Sequence, residues 1–109
     1  MGRGPRPSRI HVKIIVRPAA AADIEDAYQW YRDKRPKLGA EFLVAVRQAG
    51  ARIRDNPEAY PVFHRQARRI RLRRFPYSLL YRLYPDVIVV VACLHGRRDP
   101  LIWKARLDG

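Results

Sequence analysis

The 109-residue sequence predicts an α+β domain in which two helices precede an antiparallel sheet. The spacing of apolar residues changes from a helical period of about 3.6 to a strand period of 2 after Pro57. Residues 87–94 are apolar at every position, which is typical of a central strand covered on both faces. The expected order is an N-terminal strand, an antiparallel two-helix hairpin and a three-stranded antiparallel meander forming one sheet.

The first half of the chain predicts the strand and the hairpin. Residues 11–17 mix alternation with β-branched side chains and stop at Pro18, which indicates a short strand. Apolar residues then recur at helical spacing over residues 20–34, and acids lie early, where the helix dipole favours them. Pro36 and Gly39 are expected to break this helix. A second apolar stripe over residues 42–53 predicts another helix, which ends at the Asp55-Asn56-Pro57 turn.

The second half of the chain predicts the meander. Ile70 and Leu72 alternate with Arg69, Arg71 and Arg73, so the apolar pair should face the helices and the arginines the open side. Residues 77–84 predict the next strand, and a turn at residues 85–86 leads to the apolar strand.

The tyrosines of the predicted strand at residues 77–84 have two possible roles. They could stack against nucleic-acid bases. Tyr77 and Tyr81, however, share the more apolar face of their strand, so core packing is the expected role of both.

Length and composition predict a single domain, residues 11–109, preceded by a flexible basic arm, residues 1–10. No apolar segment of signal-peptide length follows the arm, and the longest apolar run is far shorter than the roughly 20 residues that span a bilayer. We therefore expect a cytoplasmic protein with no membrane segment. The single cysteine, Cys93, lies inside the apolar run and should pack as a small hydrophobic residue.

The formal net charge of +13 is unevenly distributed. Residues 1–17 carry +5, residues 18–59 are neutral, and residues 60–109 carry +8. Charge concentrated in this way indicates an anionic partner, which could be nucleic acid, an acidic protein or a membrane surface.

The segment from residue 64 to residue 74 contains six arginines and no Asp or Glu. A charged edge strand that avoids pairing with other sheets would explain some of this charge. The exclusive use of arginine favours bidentate recognition of phosphate or carboxylate instead, because like charges on one strand face cost stability unless something opposes them. The predicted binding surface consists of Arg68, Arg69, Arg71, Arg73, Arg74, Arg82, Arg97 and Arg98.

The string LHGRRDPLIW follows the apolar strand and brings His95 next to Arg97 and Arg98. A histidine beside two arginines could act as a general acid or base at a phosphate. Because no carboxylate stands beside it, the favoured interpretation is that His95 holds the turn. Asp99 before Pro100 should form a turn or a helix cap.

Motifs for metal or cofactor binding are missing from the sequence. The three histidines and the cysteine lack metal-ligand spacing, and there is no glycine-rich phosphate loop or nucleophile elbow. We therefore expect no metal and no cofactor.

The ordered set of motifs resembles the RelE/ParE superfamily of type II toxin–antitoxin toxins. The resemblance covers residues 12–106 and rests on ADIEDAYQWY, IRDNPEAYP, the arginine-rich strand, YSLLYRLY, the apolar strand and HGRRDP with a following tryptophan. It implies a cytoplasmic toxin that a cognate, ParD-like antitoxin neutralises with an acidic C-terminal segment. It also implies that the complex represses its own operon.

The resemblance implies one of two activities. RelE-like members cut mRNA on the ribosome, and the matching catalytic candidates here are His95, Arg82, Arg97 and Arg98. ParE-like members poison DNA gyrase without an established hydrolytic site. His95 is one candidate for two proton-transfer roles, so we favour the ParE-like, non-enzymatic branch. The ribosome-dependent endonuclease is the alternative, and a basic nucleic-acid-binding module is a third interpretation.

Overall fold

The computed structural model describes residues 13–108, so the predicted basic arm lies outside the described residues. Its three helices and five strands confirm the α+β class. In chain order the elements are β1 (Lys13–Val16), α1 (Pro18–Lys34), α2 (Pro36–Asp55), β2 (Val62–His64), β3 (Ala67–Arg71), β4 (Tyr77–Leu83), β5 (Val87–His95) and α3 (Pro100–Asp108).

The strands form one mixed sheet in the order β1-β5-β4-β3-β2. The pairs β3/β4 and β4/β5 are antiparallel, as the predicted three-stranded meander requires. The short strand β2, which was not predicted, pairs antiparallel with β3. The N-terminal strand β1 joins the sheet parallel to β5, with Lys13 opposite Val87 and Val16 opposite Val90. The first and last strands of the chain are therefore neighbours, and β5 lies between β1 and β4.

The helical hairpin covers one face of the sheet, called here the first face. Its core includes Tyr31 of α1, Phe42 of α2 and Tyr81 of β4. The rings of Tyr31 and Phe42 stack at 5.3 Å. The prediction that Gly39 breaks a helix was wrong, because α2 begins at Pro36 and Gly39 lies within it. A Cβ at Gly39 would stand 2.9 Å from the Cβ of Arg32, so this glycine allows α1 and α2 to approach closely.

The C-terminal helix α3 covers part of the opposite face, called here the second face, and was not predicted. Trp103 and Leu107 of α3 are buried there with Ala67, Leu80 and Val91. Asp99 caps this helix: its Oδ1 accepts a hydrogen bond of 2.8 Å from the backbone N–H of Leu101. The sheet thus lies between two layers of helix, of which the second is small. Within residues 13–108 no helix is long and apolar enough to cross a membrane.

Candidate functional site

The arginines of β3 alternate in direction as the sequence predicts. Ile70 is 1% exposed in the first-face core, while Arg71 and Arg73 are exposed. Arg69 also points to the second face, but its guanidinium lies 5.7 Å from the centre of the Trp103 ring. The second face is therefore covered by α3 near Arg69 and open near Arg71.

The side chain of Arg68 points to the first face and makes hydrogen bonds within the chain. Its Nη1 donates hydrogen bonds to the carbonyl oxygens of Tyr60, at 2.7 Å, and Glu58, at 3.2 Å. The Tyr81 hydroxyl donates to the carbonyl oxygen of Pro57 at 2.6 Å, and burial raises the pKa of Tyr81 to about 12. Arg68 and Tyr81 thus hold the loop between α2 and β2, and the predicted core role of Tyr81 is confirmed.

Arg74 is also engaged, at the turn between β3 and β4. It adopts a positive φ of 74°, and its Nη2 lies 3.2 Å from Oε1 of Glu41 in α2. Both side chains of this ion pair are substantially exposed, so its contribution to stability is small.

Arg82 fixes the C-terminal end of α3. Its Nη2 donates to the carbonyl oxygen of Leu107 at 2.7 Å, and its Nε donates to that of Arg65 at 3.1 Å. Oδ1 of Asp108, the residue after Leu107, lies 2.9 Å from Nε2 of His64 and 3.1 Å from Nε of Arg65. These contacts hold the pKa of the Asp108 carboxyl below its usual value, and the hydrogen bond with His64 has the largest effect. Positive groups thus bind the negative end of the α3 dipole.

His95 lies at the other end of the sheet and holds a turn. Its Nδ1 accepts a hydrogen bond of 2.9 Å from the backbone N–H of Arg97, and its ring lies 5.1 Å from that of Tyr77. The N–H of Gly96 donates to the carbonyl oxygen of Pro76 at 2.8 Å. These contacts agree with the turn-holding interpretation of His95. Arg97 and Arg98 are exposed beside it.

The residues predicted for a nuclease site form two groups: His95, Arg97 and Arg98 lie together at the end of β5, and Arg82 lies in β4. His95 pairs with Tyr77 at the start of β4, whereas Arg82 pairs with Val89 five residues further along the strand. At about 3.3 Å per residue the two backbone positions are roughly 16 Å apart. His95 and Arg98 line one cavity together with Asp26, and Arg82 is not among the walls of that cavity.

A partly buried ion pair that the sequence analysis missed joins three elements. The carboxylate of Asp23 in α1 accepts hydrogen bonds from both terminal nitrogens of Arg106 in α3, at 2.5 and 2.9 Å. It also accepts the backbone N–H of Cys93 in β5 at 2.9 Å. The hydrogen bond to Asp23 raises the pKa of Arg106. No local pattern announces a contact between residues 83 positions apart.

Cys93 itself behaves as predicted. Its side chain is 2% exposed within the first-face core, and burial raises the pKa of its thiol to about 12. A thiol with so high a pKa stays protonated at neutral pH and is a poor nucleophile.

Two concavities flank these elements. A cavity of about 520 Å³ lies between α1 and the end of β5, with Trp30, Tyr77 and His95 among its walls. A groove of about 530 Å³ lies between the end of β1 and α3. Within residues 13–108 no group of three or more His, Cys, Asp or Glu is placed to hold a metal ion.

Comparison with known proteins decides between the two branches of the superfamily. Residues 14–100 match the family model described as the ParE toxin of the type II toxin–antitoxin system parDE. The chain belongs to the ParE toxin family. The ParE-like branch is therefore confirmed, and the protein is a toxin of a type II toxin–antitoxin system, whose partner is a cognate antitoxin.

Relatives of this ParE-family chain agree with the assignment. Toxin ParE2 of Mycobacterium tuberculosis, from strains CDC 1551 / Oshkosh and ATCC 25618 / H37Rv, is 28% identical over 88 residues, which are 80% of this chain and 84% of the relative. A solved chain from the chromosomal ParDE TA system of P. aeruginosa superposes with a TM-score of 0.69 at 17% identity. The superposition covers 78% of this chain and 96% of that one, and it shows the same fold.

Proposed function

We propose that this ParE-family toxin acts in the cytoplasm by inhibiting DNA gyrase and is not a nuclease. One observation supports this choice: Arg82 lies near the end of β4, whereas His95 ends β5 and pairs with Tyr77 at the opposite end of β4. Both also have structural contacts, since Arg82 binds two backbone carbonyls and His95 accepts an N–H in its own turn. A nuclease that uses the RNA 2′-hydroxyl needs an acid and a base beside one phosphate.

The proposal assigns the freely exposed arginines to contacts with anionic partners. Arg71, Arg73, Arg97 and Arg98 are exposed. Because each guanidinium offers a planar pair of donors, this set suits carboxylates of the antitoxin or phosphates of gyrase-bound DNA. The other four predicted arginines each make a contact within the chain but still add to the positive electrostatic field of the surface. They are Arg68, Arg69, Arg74 and Arg82.

Purified toxin tests the choice of target directly. We expect it to block negative supercoiling of a relaxed plasmid by gyrase, or to accumulate cleaved gyrase–DNA complexes, and to leave ribosome-bound mRNA intact. His95→Ala should retain gyrase inhibition, because the contacts of His95 are structural contacts within its own turn. Codon-dependent mRNA cuts that disappear in His95→Ala would overturn the proposal in favour of the nuclease.

The antitoxin part of the proposal is tested by growth. Cells that express the toxin alone should stop growing, and coexpression of the adjacent antitoxin gene should restore colony counts. Complex formation should slow as salt rises, because screening weakens the steering of an acidic segment toward an arginine-rich surface. Equal colony counts with and without the antitoxin gene would count against an active toxin.

A further inference from the structure

The cavity between α1 and the end of β5, called here the α1–β5 cavity, is lined by four rings in contact with one another. The centre of the Tyr31 ring lies 5.0 Å from that of Trp30 and 6.1 Å from that of Tyr77. The Tyr77 ring in turn lies 5.1 Å from that of His95. The cavity volume of about 520 Å³ falls within the range of about 300–1,000 Å³ that is typical of small-molecule sites. These walls suit a small ligand with a planar ring.

Trp30 offers an exposed ring surface at this cavity. It is 55% exposed, whereas the adjoining Tyr31 is 9% exposed. Exposed aromatic rings are good stacking surfaces for nucleobases, because every base has a π-face. Nζ of Lys34 lies 4.6 Å from the centre of the Trp30 ring and adds a positive charge beside it. The surroundings of the ring thus favour an aromatic ligand that also carries negative charge.

Two side chains of opposite charge line the cavity and are available to a ligand. They are Asp26 of α1 and Arg98 in the turn after β5, and both are exposed. Within residues 13–108 neither side chain makes a hydrogen bond or an ion pair. Asp23 lines the cavity too, but its oxygens accept hydrogen bonds from Arg106 and from the backbone N–H of Cys93. Asp26 therefore supplies the free carboxylate of the cavity, and Arg98 the free guanidinium.

The turn after β5 brings several donors to one side of the cavity. Nδ1 of His95 accepts the backbone N–H of Arg97, so the neutral imidazole carries its proton on Nε2. Within residues 13–108 this Nε2 makes no hydrogen bond. Burial raises the pKa of Tyr77, and the charge of Arg98 acts in the opposite direction, which places that charge near the cavity wall. The imidazole N–H and the two neighbouring guanidinium groups suit a phosphate.

The number of donors distinguishes between two classes of ligand. A free aromatic amino acid could place its ammonium on Asp26 and its carboxylate on Arg98. Its single carboxylate would, however, leave the donors of His95 and Arg97 without a partner. A phosphate has enough oxygens for all three residues of the turn. A nucleotide carries such a phosphate at one end and a planar base at the other, so it matches both the turn and the aromatic wall.

The carboxylate of Asp26 selects among the bases. Guanine has a ring N–H and an exocyclic amino group side by side, and the two donors match the two oxygens of one carboxylate. Adenine has a ring acceptor beside its amino group, and a carboxylate repels that acceptor. Uracil and cytosine likewise lack two adjacent donors. A carboxylate at this position therefore favours guanine over the other bases.

We propose that the α1–β5 cavity binds a guanine nucleotide. The base stacks on Trp30 and donates two hydrogen bonds to Asp26, and the phosphate accepts hydrogen bonds from His95 and Arg98. The site lies on the first face, opposite Arg71, and the inference does not rest on the proposed function. A free nucleotide and a guanosine within a single strand present the same chemistry, and the experiment below distinguishes the two sources.

Isothermal titration calorimetry of the purified full chain tests the site with four small probes. They are guanosine monophosphate (GMP), adenosine monophosphate (AMP), guanosine and free tyrosine. We expect the Kd of GMP to be at least about tenfold lower than that of AMP, because AMP sets an acceptor against Asp26. Guanosine lacks the phosphate and should bind at least about fivefold more weakly than GMP. Equal binding of GMP and AMP, or binding of tyrosine as tight as that of GMP, would overturn the proposal.

Asp26→Asn gives a result that a purely structural role would not produce. An amide can donate to the ring acceptor of adenine and accept from its amino group. The variant should therefore bind GMP at least about tenfold more weakly than the wild type, and AMP more tightly. Asp33→Asn removes the same charge from an exposed position of α1 outside the cavity and should keep the preference for GMP. Parallel weakening of both nucleotides by Asp26→Asn, or the same change in Asp33→Asn, would contradict the assignment.

Arg98→Gln tests the phosphate contact. It should weaken GMP at least about fivefold but change guanosine less than about twofold, because guanosine has no phosphate. Arg71→Gln removes the same charge on the opposite face and should change GMP binding less than about twofold, the effect of net charge alone. Equal effects of the two variants on GMP would refute the site. All substituted side chains are exposed, so the variants should melt close to the wild type, and the four-probe comparison needs no variant.

Short RNA strands identify the source of the nucleotide. Two pentanucleotides differ only in a central guanosine or adenosine, which controls for the general attraction of RNA to a chain of net charge +13. A guanosine strand that binds at least about tenfold more tightly than both GMP and the adenosine strand would assign the site to a base within a strand. With no such advantage, preferential binding of GMP assigns it to a free nucleotide. Gyrase inhibition by a chain that does not bind GMP would refute this inference and leave the proposed function intact.

Discussion

Removing either partner of the Asp23–Arg106 ion pair should destabilise the protein more than removing any other ion pair among residues 13–108. The pair joins α1 to α3, and the Asp23 carboxylate also accepts the N–H of Cys93 in β5. We consider Asp23→Asn and Arg106→Gln, singly and together. Asp23→Asn keeps the size of its side chain, and Arg106→Gln shortens it but keeps a polar end, so the changes act mainly on charge and hydrogen bonding.

The exposure of the two side chains sets the expected magnitude. Breaking a buried pair by removing one partner costs about 3–5 kcal/mol. Here the Asp23 side chain is 14% exposed and that of Arg106 is 30% exposed, so water compensates part of the loss. An asparagine can still accept the Cys93 N–H. We therefore expect each single variant to lose about 2–3 kcal/mol and the double variant to show a coupling of about 1–2 kcal/mol.

Urea unfolding of the purified variants at 25 °C measures these free energies. Arg74→Gln is the matched control, because it breaks another arginine–carboxylate pair, Arg74–Glu41, whose side chains are 67% and 30% exposed. That control should lose less than about 0.5–1 kcal/mol. If Asp23→Asn is no worse than Arg74→Gln, or if the two single losses simply add, the Asp23–Arg106 pair does not hold α3 in place.

Two further predictions concern the helical hairpin and the core. Gly39→Ala should lower the melting temperature although alanine favours helices, because the added Cβ would stand 2.9 Å from the Cβ of Arg32. Gly50→Ala should instead raise the free energy of unfolding by up to about 1 kcal/mol, because its added Cβ meets nothing within 4 Å. Opposite signs in two thermal melts are the required result. Burial raises the pKa values of Tyr81 and Cys93, from 10.0 and 9.0, to about 12 each, so the folded state retains protons that the unfolded chain releases. The contribution of these two groups to the free energy of unfolding is fully present below pH 9 and should be lost as the pH rises through about 12. A urea midpoint that stays constant from pH 9 to pH 11 would contradict this prediction.

Local periodicity predicted the side-chain directions correctly. Ile70 and Tyr81 are buried on the first face because side chains alternate strictly along a strand, whatever the rest of the chain does. The same rule placed Arg71 on the opposite face. These features depend only on neighbours in sequence, so the sequence alone specifies them.

Features that depend on distant residues were missed. Helix α3 has Leu101, Ile102 and Trp103 in succession, which gives no amphipathic period, and it is held by contacts from Arg82 and Asp23. The hydrogen bond from Arg82 to the carbonyl oxygen of Leu107 was missed for the same reason, since the two residues are 25 positions apart. The groove beside α3 forms where β1 and α3 come together, and no local sequence pattern predicts such a contact.

The parallel pairing of β1 with β5 has a consequence for the timing of synthesis. Among residues 13–108, β5 is the only sheet neighbour of β1 and also pairs with β4, yet the ribosome produces it after the helical hairpin and the strands β2, β3 and β4. At about 5–20 residues per second, several seconds separate the emergence of the helical hairpin from that of β5. During this interval α1 and α2 have no complete sheet to cover, and Asp23 awaits both Cys93 and Arg106. The sheet is complete only when β5 has emerged, so β1 and the helical hairpin cannot reach their final packing before then.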